Sequence, residues 1–418
     1  MAQLSNDCFA FGGDLMTVEA ARALIAERLS PVAEAETLRL VEADGRVLAA
    51  DIVAPIDLPP LDNSAVDGYA VRFQDLRAQG ETTLPVVGRV AAGASLSAEP
   101  GAAAVRIFTG APMPRGVDTV FMQEDVALEG GSVLLPAGLK PGANRRLAGE
   151  DLGRGSRALV AGRRLQPGDI ALLAALGLPE ISVRRRLRIA VFSTGDEVVT
   201  PGESIGPAQL FDANRFMLRA LLGRLGCEVT DLGILPDRPE AVARALRGAA
   251  SGHDLLITSG GVSTGEEDHV KAAVEGAGAL AFWRLGIKPG RPVAMGMVQG
   301  TPFVGLPGNP VAVFVTFVHI ARAMIARLGG ESFAPPQAFP VRSTFAYRKK
   351  AGRRAYVRAR LTRAEDGEHE AEKHPREGAG VITSLTETDG VVELPESVTW
   401  VEPGERVGFL PYGLLIGA

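Results

Sequence analysis

From Arg188 onward the chain alternates short apolar runs with segments of helical periodicity, and this constrains the fold more than any other feature. Apolar runs at 189–192, 228–232, 255–258 and 293–297, with a further piece at 303–305, predict strands. Segments at about 214–225, 239–250, 268–276 and 309–328 predict the helices between them. Such alternation argues for a doubly wound parallel sheet, because parallel strands need crossovers long enough to hold a helix. The central piece is Asp254-Leu-Leu-Ile-Thr-Ser-Gly-Gly-Val-Ser-Thr-Gly-Glu-Glu-Asp-His-Val-Lys271. Its run at 255–258 has no polar alternation, the pattern of a strand covered on both faces. Gly260 and Gly261 follow, and paired glycines between strand and helix let the backbone approach a ligand and aim N–H groups at an anion. The acids after them fit two readings: a capped helix start, or Asp268 beside a metal and a phosphate.

Before Arg188 the pattern differs. A helix is expected at 17–30, with Thr17 as N-cap and Ala20, Ala21, Leu24, Ile25 and Leu29 as its apolar face. Pro59 and Pro60 forbid helix and lead through a loop into Asp67-Gly68, which taken alone reads as a hairpin turn. Short β-patterned runs then alternate with Gly and Pro from 82 to 135, as in an inserted β domain. Arg145 and Arg146 share a glycine-bounded loop with Glu150 and Asp151, either a surface ion-pair cluster or an anion site. The arginines at 184–188 read as a solvated linker. After Pro336 helical periodicity stops, and strands at 341–345, 355–361, 390–394 and 406–410 predict a C-terminal β domain. Arg348, Lys349, Lys350, Arg353 and Arg354 read as a solvated hairpin tip within it.

The fold class is therefore a multidomain α/β protein. Its expected parts are a discontinuous α+β domain (1–55 and 152–186), a β-rich insert (56–151), the α/β domain (187–335) and a C-terminal β-barrel-like domain (336–418). Two cysteines far apart in sequence support neither a disulfide framework nor a thiolate zinc site, and the five histidines lack metal-ligand spacing. A net charge of −5 leaves no global footprint for nucleic acid or an anionic membrane. The N-terminus has no signal-peptide pattern, and the apolar stretch at 310–328 is interrupted by His319, Arg322 and Arg327, so a buried core helix and a cytoplasmic protein are expected.

Ligands bind outside the carboxyl ends of parallel strands. Three such ends carry acids here: Ser193-Thr-Gly-Asp-Glu197, Asp237, and Asp268. Arg284, Lys288 and Arg291 add cations in Trp283-Arg-Leu-Gly-Ile-Lys-Pro-Gly-Arg-Pro292. Carboxylates for Mg²⁺, with cations and N–H groups for phosphate oxygens, suit phosphoryl or nucleotidyl chemistry. No P-loop, dinucleotide fingerprint or Gly-x-Ser-x-Gly elbow is present where one would be needed.

Seven motifs occur in order: Asn63-Ser-Ala-Val-Asp-Gly-Tyr-Ala70, Thr109-Gly-Ala-Pro-Met-Pro114, Asn144-Arg-Arg-Leu-Ala-Gly-Glu-Asp151, Ser193 to Glu197, Ser259-Gly-Gly-Val-Ser-Thr-Gly-Glu-Glu-Asp268, Lys288-Pro-Gly-Arg-Pro292 and Gly305-Leu-Pro-Gly-Asn-Pro310. In these the chain resembles the molybdopterin molybdotransferase family, MoeA, which is similar to the gephyrin E domain. The resemblance implies an elongated homodimer that converts adenylylated molybdopterin and molybdate, with Mg²⁺, to molybdenum cofactor and AMP. It implies partners that supply the adenylylated substrate and mature molybdoenzymes, and neither nucleic acid nor membrane. Carried over, Glu197, Asp237 and Asp268 would serve the metal and the anhydride, and Asp67, Thr109 and Asp151 would reach in from the partner subunit. Lys288, Arg284, Arg291, Arg358 and Arg145 would bind anions. Thr194, Gly195, Ser259, Gly260, Gly261, Ser263 and Gly265 would cradle the substrate, while Pro307 and Pro310 shape its molybdate side. The chain departs from that pattern with Arg284 for a frequent Lys, Ala379 for a usual Ser, and Ala213. A non-catalytic scaffold on the same fold, or a tungstate-using paralogue, are the alternatives.

Overall fold

The computed structural model describes residues 15–96, 99–236, 238–261, 274 and 278–417, with 278–283 as backbone. The 188–328 alternation forms a six-stranded sheet in the order Glu228–Leu235, Arg188–Thr194, Leu255–Ser259, Thr301–Leu306, Pro292–Val298, Gly278–Arg284. The first four strands run parallel. The last two return antiparallel, an edge that the strand–helix pattern does not predict. Its cause is local: only Gln299 and Gly300 join Pro292–Val298 to Thr301–Leu306, and their φ values of 49° and 89° make a tight hairpin turn too short for any crossover.

The central run behaves as its composition requires. Leu255 and Ile257 enter one core with Leu218, Leu222 and Val313, while Leu256 enters the other with Val242 and Leu246. Helix Asn214–Arg224 thus covers one face and Pro239–Ala250 the opposite one. The apolar stretch Pro310–Leu328 is a helix 89% buried within the protein, as its charges predict. Helix Val18–Arg28 starts where expected, with Thr17 Oγ1 accepting from Ala20 N. Its buried residues are Val18, Ala21 and Ile25, and all three belong to the α/β core; Ala20 faces solvent instead.

The arginines at 184–188 are not a solvated linker. Arg185 forks onto Asp254 at 2.7 and 2.8 Å, Arg188 N donates to the same carboxylate, and Arg184 and Arg186 bond the Ala33 and Gly226 carbonyls. Burial pushes the Asp254 carboxyl up, but Arg185 and the Arg188 amide outweigh it and hold the group below the usual range. Sequence charge counting misses this because the partner lies about 70 residues downstream.

The insert forms a six-stranded sheet ordered Thr119–Met122, Gly68–Val71, Ala104–Ile107, Thr82–Val90, Ser132–Leu135, Ala127–Glu129. Asp67-Gly68 is therefore no hairpin turn: Gly68 opens a buried strand. A Cβ there would lie 1.7 Å from the Phe121 carbonyl oxygen, so close strand approach is what demands glycine. In the C-terminal region Arg354–Arg363, His369–Lys373, Phe339–Ser343, Arg406–Pro411 and Gly390–Leu394 close into a barrel, since the first pairs again with the last. The two-residue strand Ile287–Lys288 leaves the α/β unit and adds in parallel to Arg354–Arg363.

Candidate functional site

At the carboxyl edge of the sheet three loops meet. Thr194 ends one strand and Ser259 its neighbour, and the register pairs Ser193 with Ser259 and Ser259 with Leu306. Gly260 N donates to the Leu306 carbonyl at 3.1 Å, and its absent Cβ would sit 3.6 Å from the Thr194 carbonyl. With φ of 87° and 63°, Gly260 and Gly261 turn the chain as only glycine does readily. Asn214 Nδ2 donates to the Gly308 carbonyl at 2.6 Å, tying the loop that carries Pro307 and Pro310 to the helix Asn214–Arg224. Glu197 folds back over Gly195, where a Cβ would be 2.6 Å from its Oε2. Ser193 Oγ, Thr258 Oγ1 and Asn214 Oδ1 are buried without protein partners among the described residues. Asp237, Ser263, Gly265 and Asp268, with Glu266 and Glu267, lie outside the described residues.

Beside this edge, where Ile287–Lys288 meets the barrel, lies a cavity of about 380 Å³. Lys288, Arg291, Arg353, Arg358, Lys373 and Arg376 line it, with Tyr347, Tyr356 and Glu377. Lys288 Nζ donates to the Tyr347 hydroxyl at 2.9 Å and stands 5.2 Å from the centre of its ring. Arg358 is buried, and its guanidinium donates to Ser384 Oγ (3.0 Å) and to the carbonyls of Gly378 (3.2 Å) and Arg376 (3.4 Å). Burial lowers its pKa, as it does for Arg291, where Arg353 and Arg284 add repulsion. Six cations and one acid in this lining give the charge balance that suits an oxyanion. Arg284 does not line the cavity, although its charge reaches Arg291.

Arg353 is thus no part of a solvated tip. Lys349 from the same hairpin is 9% exposed, its Nζ held by the Arg353 carbonyl at 2.6 Å. Lys373, Arg376 and Glu377 escape a reading of the sequence altogether: they end or follow the strand His369–Lys373, whose five residues include only Ala371 as an apolar member. At Ala379, where a Ser is usual in the resembled family, the backbone carbonyl still accepts from Val311 N at 3.0 Å and anchors the loop to the helix Pro310–Thr316.

A third group lies in the insert. Asp67 Oδ1 accepts from Thr109 N (2.8 Å) and Thr109 Oγ1 (2.7 Å), and these bonds hold its pKa below the ordinary range. Arg145 stands 3.7 Å from Asp62, its Nε buried and unpartnered. Asp151 is exposed. Among the described residues no hydrogen bond or ion pair joins Asp67, Thr109 or Asp151 to the sheet edge or the cationic cavity.

Comparison with known proteins finds three matched regions along the chain. Residues 16–177 match the MoeA N-terminal region (domain I and II), 190–327 a probable molybdopterin binding domain, and 340–412 the MoeA C-terminal region (domain IV). A molybdopterin molybdenumtransferase of Haemophilus influenzae is 40% identical over 406 residues, covering 96% of this chain and 100% of that protein. The chain belongs to the MoeA family. The molybdopterin molybdenumtransferase of Nostoc sp. is 36% identical over 91% of this chain and 89% of its own length. Among solved structures, a molybdopterin biosynthesis MoeA protein from Pyrococcus horikoshii OT3 superposes with a TM-score of 0.80 at 28% identity, covering 96% of this chain and 100% of its own. The multidomain α/β architecture with its curled central sheet and C-terminal barrel is thus that of the family.

Proposed function

We propose that this MoeA-family chain inserts molybdate into adenylylated molybdopterin and releases AMP, the last step of molybdenum cofactor synthesis. The observation that carries the reading is the six-cation cavity opening beside a glycine-turned sheet edge. The first suits a doubly charged oxyanion, and the second suits a phosphate held by backbone N–H groups. Arg358 and Lys288 hold molybdate, with the Pro307–Pro310 loop shaping the molybdate side of the pocket. Gly260 and Gly261 present the backbone to the substrate's phosphate.

Mg²⁺ fits the chemistry of Glu197, whose hard carboxylate oxygens are the ligands that ion takes. Glu197 would hold it with Asp237 and Asp268, and when bound it would neutralise phosphate charge as the anhydride breaks. Glu197 lies over Gly195, so no side chain stands between it and the strand end. In this reading the enzyme works as a cytoplasmic homodimer, and the boundaries at 56, 152, 187 and 336 mark its domains. Asp67, Thr109 and Asp151 act at the other protomer's sheet edge, a reading supported by their having no bond to their own edge among the described residues.

The test is AMP release from adenylylated molybdopterin by the purified protein with Mg²⁺ and molybdate. Glu197→Gln should slow it at least about 100-fold, the scale of losing one charged group that acts on the transition state. Lys288→Ala should raise the molybdate concentration needed for half-maximal rate. No AMP from the unaltered protein would refute the reaction.

A further inference from the structure

The cationic cavity contains one carboxylate, and its position is informative. Glu377 is the only acid among the described residues that line it. Its Oε1 lies 2.7 Å from Lys373 Nζ and its Oε2 3.8 Å from Lys288 Nζ. The carboxylate therefore bridges two cations across the space that an oxyanion would enter. Lys373 most of all, then Lys288 and Arg358, overcome its partial burial and hold it ionised. Its side chain is 46% exposed and that of Lys288 49%, so neither is packed in place. The next residue, Gly378, gives its carbonyl to Arg358, and Ala379 gives its carbonyl to Val311. Glu377 thus sits on a loop tied at once to the buried arginine and to the helix behind the Pro307–Pro310 turn.

We infer that Glu377 is a built-in counter-anion that occupies the oxyanion position of the empty cavity and is displaced when the substrate anion binds. This rests on the cavity being an oxyanion site. Displacement costs the same whichever anion enters, so the doubly charged anion still gains most from the six cations. Glu377 therefore weakens the binding of every anion by a common factor. The same device keeps six cations from repelling one another between turnovers.

Isothermal titration of the full-length protein with molybdate, sulfate and nitrate tests this. Glu377→Gln keeps the side-chain size and removes the charge. It should lower the Kd for molybdate and sulfate about tenfold, the scale of one partly solvated unit charge at contact distance. It should tighten nitrate by the same factor, because the displacement it removes is common to every anion; a gain confined to the dianions would mean that Glu377 repels bound anions without being displaced, and would overturn the role. Glu377→Ala should do the same, which separates charge from shape. If both variants keep the wild-type thermal transition but bind dianions no tighter, or lose nitrate and dianion affinity alike, the counter-anion role is wrong. If the unaltered protein binds neither molybdate nor sulfate, the oxyanion site itself is refuted and the role with it.

Discussion

Arg358→Met should make the protein more stable and nearly unable to bind molybdate. Arg358 is 5% exposed and has no carboxylate within bonding reach, so its charge is paid for only by a hydroxyl and two carbonyls. Two of those acceptors keep another bond when the guanidinium is removed, and the third belongs to the exposed Arg376. Ser384 Oγ donates to the Val381 carbonyl at 2.6 Å, and the Gly378 carbonyl accepts from Val381 N at 3.2 Å. Substitution therefore orphans no buried polar atom, the usual penalty for deleting one member of a buried network. Replacing a buried charge by an apolar side chain of similar volume is often neutral or stabilising by about 1–4 kcal/mol. With three hydrogen bonds lost, the lower end, about 1 kcal/mol, is the expected gain. A charge-assisted bond to the oxyanion is worth about 1.5–3 kcal/mol, so affinity should fall roughly 10- to 100-fold. Calorimetric unfolding should move up by a degree or two for the transition that includes the barrel, while molybdate titration shows the weakened Kd. Arg358→Lys, which keeps the charge without the fork, should bind with intermediate affinity and gain no stability. A methionine variant that loses stability along with binding would show that the guanidinium is a structural cross-link, and the reasoning would fail.

Three further outcomes follow from single contacts. Gly68→Ala forces a Cβ to within 1.7 Å of the Phe121 carbonyl oxygen and should destabilise the insert by about 3 kcal/mol, seen as faster proteolysis within 56–151. Asp254→Ala leaves Arg185 without its buried partner and should cost about 3 kcal/mol at neutral pH. The Asp254 pKa is depressed on folding, so its contribution is complete above the ordinary aspartate range near about 4 and is lost as pH falls through the depressed value. Denaturant curves of the two proteins should converge in that acid window, and a constant gap down to the lowest pH would exclude the carboxylate. Thr109→Val removes one of two bonds to Asp67 Oδ1, so the Asp67 pKa should rise toward its ordinary range in an NMR titration.

What could be read from the residues was set by how local its cause is. The strand at Leu255–Ser259 and the glycine turn after it follow from an unbroken apolar run and two adjacent glycines, and the structure shows both. Thr17 as N-cap and the buried helix Pro310–Leu328 are equally local. Gly68 shows the opposite case: Asp-Gly has the chemistry of a turn, and only the close approach of Thr119–Met122 makes it part of a strand. The site divides the same way. Lys288 and Arg358 were legible through motif resemblance, yet the cavity they share with Lys373 and Glu377 needs three segments brought together by barrel closure. Charge runs misled most. Arg185 and Lys349 look solvated in sequence because their partners, Asp254 and the Arg353 carbonyl, are set by tertiary contacts.

The cavity depends on how firmly the barrel is held to the α/β unit. One hydrophobic core runs through both, joining Ile257 and Val313 of the first to Tyr356, Val391 and Leu410 of the second. Arg354 N donates to the Gly286 carbonyl at 2.6 Å, which starts the parallel pairing of Ile287–Lys288 with the barrel. Arg354 also reaches Glu19 on the first helix, and Glu393 and Glu396 on the barrel. Deeper in, the Tyr356 ring stacks on His319 at 4.0 Å. Burial, then the charge of Arg22, keep His319 neutral, so its Nδ1 accepts from Arg22 Nη2 at 3.0 Å. The junction is therefore clamped from the first helix, the sheet and the barrel together. The backbone that carries the cations is thereby held in place, which favours binding an incoming dianion because little reorganisation of the junction is needed. The exposed carboxylate placed among those cations to offset part of their repulsion is that of Glu377.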